Sequence, residues 1–291
     1  MTYKAVVLGS ENYHAIGICR DLLERRLPSV ELIGAYGQNE TENERLRKMG
    51  VPCVTGDPFA FVESADIVFV TTRHGDTHLP LCLPYMKKGR LIWVDKPLAI
   101  SPEHYERLHS EAQKSGTLLW GSSFMQTADS IKAVKSNIDN ANRPILGATV
   151  MCPVRTEEEN GGFFFYTQHL VEIVLYLFGR EIEGVYCSEN HNGYSVLFRY
   201  PTFDAVGLYH KNSFHYDISV SVPESTYTAH VTPEDVSTLH AHVLQQVDKA
   251  LKTGQLPLTK ADMDAPFYLL HALYESMKTG RFSVFAVANA Q

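Results

Sequence analysis

Cysteine is scarce in this sequence, and none of it has the spacing of a metal site or a disulfide framework. Five cysteines (Cys19, Cys53, Cys82, Cys152 and Cys187) occur among 291 residues. No two form a C-x-x-C pair, which excludes a zinc ribbon, and they read as reduced residues of a cytoplasmic protein. Long hydrophobic runs are missing: nothing approaches the stretch of about 18 apolar residues that a membrane span needs. The first residues, through Gly9, read as a short strand and lack the apolar region of a secretory signal. There is no excess of positive charge either. Lys and Arg number 26 against 33 Asp and Glu, for a formal net charge of -7. Neither nucleic acid nor an anionic membrane is therefore expected as the main partner. Repeats and low-complexity stretches are absent from the sequence.

What is present is an alternation. Apolar, β-rich runs recur at Ala5–Leu8, Leu32–Tyr36, Ile67–Val70, Leu91–Val94 and Thr117–Trp120. Helical spacing fills the intervals at Ile16–Leu27, Leu81–Lys87 and His104–Lys114. Such alternation predicts an α/β fold, with βαβ units and a parallel sheet covered on both faces. The pattern changes near residue 146. One helix over Thr167–Phe178 precedes strands at Gly184–Ser188, Tyr194–Tyr200, Ala205–His210 and Tyr216–Val222, and helices over Pro233–Thr253 and Asp262–Thr279 follow. Turns at Asn192-Gly193 and at Pro201 to Asp204 fit antiparallel neighbours. A single core rarely grows past roughly 250–300 residues. Two domains are therefore expected: residues 1–121 as a Rossmann-type doubly wound parallel sheet, and 122–291 as an α+β domain with a largely antiparallel open sheet.

The most informative stretch is Gly89 to Pro97, where an apolar strand ends by delivering Asp95, Lys96 and Pro97. In a doubly wound sheet ligands sit beyond the carboxyl ends of the strands. A lysine there stabilises negative charge on a reacting oxygen, with Pro97 stiffening the turn that aims it. The plain alternative is a solvated Asp-Lys turn.

Three regions together resemble the glucose–fructose oxidoreductase, inositol dehydrogenase and rhizopine-catabolism (Gfo/Idh/MocA) family of nicotinamide-dependent oxidoreductases. They are Thr71 to His78 leading to Asp95-Lys96-Pro97; Gly161-Gly162 with His169, Glu172 and Tyr176 to Gly179; and Ala272 to Ser276 with Gly280. The resemblance runs along essentially the whole chain and implies roles residue by residue. Lys96 would contact cofactor and substrate, and His169 would be the catalytic histidine in a cleft between the domains, where the two are expected to converge. A neutral imidazole accepts the proton of a hydroxyl as hydride leaves carbon, and Lys96 stabilises the developing alkoxide. The alternative for His169 is a hydrogen-bonded histidine on a packed helix face. The resemblance also suggests a cis peptide bond before Pro97.

The chain departs from the family pattern at several places. Members often carry an aspartate four residues before the catalytic histidine; here that position is Phe165, leaving Tyr166 or Glu172 as substitutes on the substrate side. Glu172 shares a helix face with His169, though a structural pairing accounts for it equally well. A dinucleotide fingerprint reads G-x-G-x-x-G, whereas this chain reads Gly9-Ser10-Glu11-Asn12-Tyr13-His14. Glu11 stands where backbone should approach a pyrophosphate, so it is expected to turn outward if a dinucleotide binds. Gly17 is the candidate for the packing role of the missing third glycine. After the second strand, Tyr36-Gly37-Gln38-Asn39 offers no acid for a ribose. The expected cofactor contacts are Gly9, Ser10, Glu11, Asn12, Tyr13, Gln38, Thr72, His74, Asp95 and Lys96, for NAD or NADP. His240 and His242, at i and i+2 on a helix, point to different faces and suit no shared metal.

Two functions compete on the sequence. One is an NAD(P)-dependent oxidoreductase acting on a sugar, polyol or related hydroxyl compound. The other is a member that has lost hydride chemistry and serves as a ligand-binding or regulatory protein. A homodimer or homotetramer through the second-domain sheet is expected, because an open apolar face seeks a partner.

Overall fold

The computed structural model describes residues 2–285. Its first part alternates strand and helix: β1 (Tyr3–Leu8), α1 (Tyr13–Leu23), β2 (Val30–Tyr36), α2 (Glu40–Met49), β3 (Val54–Thr55), β4 (Ile67–Val70), α3 (His78–Cys82), β5 (Leu91–Val94), α4 (Pro102–Ser115) and β6 (Leu118–Gly121). These strands form one parallel sheet in the order β3-β2-β1-β4-β5-β6. The order reverses between β1 and β4, and that switch point is where such sheets open a crevice for a ligand. Every residue of β4 and β5 is buried, as expected of strands covered on both faces. Helix α4 starts on Ser101, whose hydroxyl accepts from the His104 amide at 3.2 Å, with Pro102 in the first turn; the two together fix its start. Helix α2 is not visible in the hydrophobic pattern. Only Asn43 and Leu46 of it are buried, too few for a periodic stripe.

The second part contains α5 (Asp129–Ala141), β7 (Gly147–Pro153), α6 (Phe163–Phe178), β8 (Gly184–Asn190), β9 (Gly193–Arg199), β10 (Asp204–His210), β11 (Asp217–Val222), β12 (Ser225–His230), α7 (Pro233–Thr253), α8 (Lys260–Thr279) and β13 (Ser283–Val284). Its seven strands run in the order β12-β11-β7-β10-β9-β8-β13. All neighbours are antiparallel except β7 and β10. The central strand β7 and the helix α5 escape the sequence pattern. Only Ile131 and Val134 of α5 are buried, and β7 alternates weakly. Helix α6 starts four residues earlier than expected, because Phe163, Phe164 and Phe165 are buried in its first turn. An all-apolar turn carries no period to read. One sheet face, with Val150, Tyr209, Phe198 and Ile218, is buried. The other carries partly or fully exposed Tyr186, Leu197, Val206 and Leu208.

Two compact units result. One comprises residues up to 122, 159–161 and 240–260; the other comprises 123–158, 162–239 and the remainder from 261. The latter part of α7 thus belongs to the first unit. No helix among the described residues is long and apolar enough to cross a membrane. All five cysteines are free thiols, four buried and Cys53 exposed.

Candidate active site

In the first unit a groove of about 460 Å³ opens at the carboxyl ends of β1, β2 and β4, lined by Glu11, Gln38, Thr72, Arg73, His74 and Asn160 among others. Four of the expected cofactor residues (Glu11, Gln38, Thr72 and His74) meet there. Four others form its frame. Gly9 has φ +119°, and a Cβ on it would lie 2.5 Å from the Thr72 amide nitrogen, so only glycine lets the loops after β1 and β4 touch. Ser10 donates to Asn43 Oδ1 at 2.8 Å, and Asn43 in turn donates to the Gly37 carbonyl at 2.9 Å. Asn12 caps α1 by accepting from the His14 amide at 3.0 Å, and its Nδ2 donates to Asp95 at 2.9 Å. Asp95 also accepts from the Lys96 amide at 2.8 Å. Burial raises its pKa, opposed by the neighbouring Lys96 charge. Lys96 is 3% exposed, and the Lys96–Pro97 peptide is cis.

Glu11 is half-buried and lines the groove. Burial raises its pKa; hydrogen bonds from its own amide and that of Arg73, with the Arg73 charge, pull the other way. The Arg73 guanidinium donates to the Glu11 carbonyl at 2.8 Å. An acid in this loop is thus matched by an arginine from the loop after β4. That arginine was visible in the sequence between Thr72 and His74 but carried no signal of its partner.

The helix start holds a second substitution. His14, in the third glycine position, places Nδ1 3.0 Å from Nε2 of the fully buried His240 on α7. A Cβ on Gly17 would lie 2.2 Å from that imidazole. Gly17 therefore clears space for a side chain from α7. The half-exposed ring of Tyr13 lies 5.6 Å from the His240 ring. His242 faces elsewhere, toward Gln245.

Gly161 (φ +102°), the last residue of the first unit's 159–161 segment, is followed by Gly162 (φ +58°), which leads into α6 of the second unit; positive φ is a conformation that side chains disfavour. His169, 5% exposed, sits one turn and a half along this helix. Its Nδ1 lies 2.7 Å from the Ser123 hydroxyl, which also accepts from the Met125 amide at 3.2 Å. Ser123 donates its amide to Glu172 at 2.8 Å, and Glu172 further accepts from Gln168 at 2.6 Å and Gln126 at 2.8 Å. The rings of Tyr166 and Tyr216 stand edge-on to the imidazole at 5.2 and 5.9 Å. Phe165 is buried and packs on Tyr166. The partner of His169 Nδ1 is thus Ser123, with Glu172 holding Ser123. Sequence reasoning missed it, because Ser123 comes from the connection after β6, 46 positions away.

The model of an oxidoreductase family with an NAD-binding Rossmann fold matches residues 6–122. That region, which is less than half of the chain, is thus similar to the Gfo/Idh/MocA family. A myo-inositol 2-dehydrogenase of Thermotoga maritima is 25% identical over 165 residues, 52% of this chain and 49% of that protein. The match thus spans about half the length of that curated relative. Among solved structures, GenD2 from gentamicin A biosynthesis in complex with NAD is 17% identical with a TM-score of 0.85, covering 98% of this chain and 97% of that one. A scyllo-inositol dehydrogenase from Lactobacillus casei with bound NAD(H) and scyllo-inositol is 16% identical with a TM-score of 0.80, over 97% and 98%. At such identities the likeness shows the fold, and it extends over both units. The groove meets what a Gfo/Idh/MocA cofactor site requires: it lies at the switch point, its size falls in the usual range for ligand pockets, and Gly9 permits close backbone approach. Glu11, His14 at the third glycine position and the lack of an acid directly after β2 are discordant, and the Arg73 charge opposes that of Glu11.

Proposed function

We propose that this protein is an NAD- or NADP-dependent oxidoreductase acting on the CH–OH group of a sugar, polyol or related hydroxyl compound, with Lys96 and His169 as its catalytic residues. The observation that carries the proposal is the buried His169, whose Nδ1 is held by Ser123 at 2.7 Å. A Nδ1–H donated to that hydroxyl leaves the Nε2 lone pair to take the proton of a substrate alcohol. Lys96 supplies positive charge for the alkoxide. The nicotinamide, when bound, accepts or returns the hydride. On the cofactor side, Gln38 serves a ribose, Thr72 and His74 line the groove, Arg73 offsets Glu11, and Gly9, Ser10, Asn12, Tyr13 and Asp95 maintain the loop. Tyr166 borders the substrate, and Glu172 acts by fixing Ser123.

The protein works in the cytoplasm as a homodimer or homotetramer formed through the outer face of the second sheet, where Tyr186 and Val206 are exposed. Calorimetric titration with NAD and NADP, followed by a panel of polyols and sugar derivatives monitored by nicotinamide absorbance, tests the reading. Binding of either cofactor with absorbance change on a hydroxyl substrate, lost in Lys96→Ala and His169→Ala, supports it. No binding of either cofactor at millimolar concentration sinks it.

A further inference from the structure

Arg155 follows β7 and is half-buried. Its guanidinium carbon lies 5.5 Å from the centre of the Tyr166 ring and 5.4 Å from that of Phe214. Tyr166 stands edge-on to His169, so one aromatic ring separates the guanidinium from the imidazole. The Arg155 charge also acts on the Tyr216 hydroxyl, although burial still raises that group well above its ordinary range. Tyr216 is the other ring at His169.

Most arginines elsewhere meet a carboxylate: Arg26 with Asp21, Arg47 with Glu40, Arg143 with Glu224, Arg180 with Asp262 and Arg199 with Asp204. Arg155 has no ion pair among the described residues, although Glu157, Glu158 and Glu159 follow it after Thr156 in a chain of net charge -7. Aromatic faces hold a guanidinium plane in place and leave its N–H fork to donate in that plane. The acceptor that fits such a fork is a carboxylate, bound through two parallel hydrogen bonds. A neutral polyol has no comparable group.

We propose that Arg155 anchors a carboxylate on the substrate, and that the substrate is a hydroxy acid of the aldonate or uronate class, with the reacting alcohol a few carbons from the acid. The inference rests on the dehydrogenase reading for its chemistry: the carbinol carbon gives hydride to the oxidised nicotinamide and the hydroxyl proton goes to His169, leaving a keto acid and reduced cofactor. Its binding component stands independently.

The test compares acid and neutral partners of one carbon skeleton, gluconate against glucitol and galacturonate against galactose, in two assays. One is turnover with NAD and NADP; the other is calorimetric binding of each compound to the protein with and without cofactor. The expected result is at least about tenfold tighter binding or higher kcat/KM for an acid, equivalent to about 1.4 kcal/mol. Arg155→Met should erase that preference, and Arg155→Lys should restore only part of it. Arg155-dependent acid binding without any absorbance change would support the anchor and refute the dehydrogenase reading. Turnover of neutral compounds, with no acid bound more tightly than its neutral partner, would do the reverse. No acid preference in either assay overturns the anchor.

Discussion

The loop after β1 and the helix α6 depart from the family pattern in different ways, and each departing segment meets a partner distant in sequence. The first unit gains an acid at Glu11 and an imidazole at His14. Arg73 from the loop after β4 donates to the Glu11 main-chain carbonyl at 2.8 Å and opposes the carboxyl's charge, and His240 from α7 meets His14 at 3.0 Å. The second unit has Phe165 where an aspartate would orient His169, and Ser123 takes up the imidazole nitrogen instead. The compensations differ in kind. In the first unit Arg73 opposes the charge of Glu11 and a neutral imidazole meets His14, whereas in the second a neutral hydroxyl stands where a charged partner is expected. A hydroxyl fixes the orientation of the imidazole without bringing a charge beside it. Residues that depart from a motif are thus met by partners from other elements of the fold.

The sharpest way to break the comparison is to remove the histidine that α6 carries. His169→Ala should lower kcat by about 10²–10⁴, the usual contribution of general acid–base catalysis, while the dissociation constant for NAD stays within about threefold. A comparable loss of cofactor binding would show that the two units do not divide the work as described.

Acid titration is next in size and concerns the first unit alone. His14 and His240 are both lowered to about 3, first by burial, then by the Lys96 charge for His14 and by His14 itself for His240. In the unfolded chain they take up protons near 6.5. The folded state binds fewer protons between these values. Their contribution to stability is therefore complete above about pH 6.5 and is lost as pH falls toward 3. The loss should reach several kcal/mol, most of it from the buried His240 and less from the partly buried His14. Urea denaturation at about pH 7 and about pH 4.5 measures it, and His240→Leu should flatten the difference. An unchanged pH dependence in that variant would remove the imidazole pair as the cause.

Ser123→Ala should cost about 2 kcal/mol in turnover, roughly thirtyfold in kcat, from a lost hydrogen bond to a group that becomes charged. Nitrogen NMR of the His169 ring should report a changed tautomer balance in the same variant. Normal turnover with an unchanged tautomer would leave Ser123 as a packing residue only.

The smallest effect should come from Glu11. Its carboxyl pKa is raised, so the protonated form is favoured in the fold. The associated stabilisation is present below the ordinary value of 4.5 and is lost as pH rises through the raised one. Affinity for the anionic cofactor should therefore increase as pH falls through that window, and the increase should vanish in Glu11→Gln. Near neutrality Glu11→Gly should tighten NAD binding by about tenfold. The roughly hundredfold effect of an unopposed charge at about 5 Å is reduced by Arg73. Weaker binding in Glu11→Gly would mean that the carboxylate itself supports the loop.

The sequence by itself determined the alternation of the first 121 residues, because strands buried on both sides must be continuously apolar, as β4 and β5 are. It determined the strand-end delivery of Asp95, Lys96 and Pro97, and the run of β8 to β11 with its tight turns, for the same local reasons. The polar helix α2 and the weakly patterned α5 escaped, since few of their residues are buried on one consistent face; the central strand β7 escaped although Ala148, Val150 and Cys152 share its buried face, because apolar Met151 on the other face blurs the alternation. Only the tertiary structure decided the partners of the unusual residues: Arg73 with Glu11, His240 with His14 across 226 positions, and Ser123 with His169. Hydrogen-bond partners are chosen by proximity after folding, and residues brought together by different elements leave no common period or spacing in the chain.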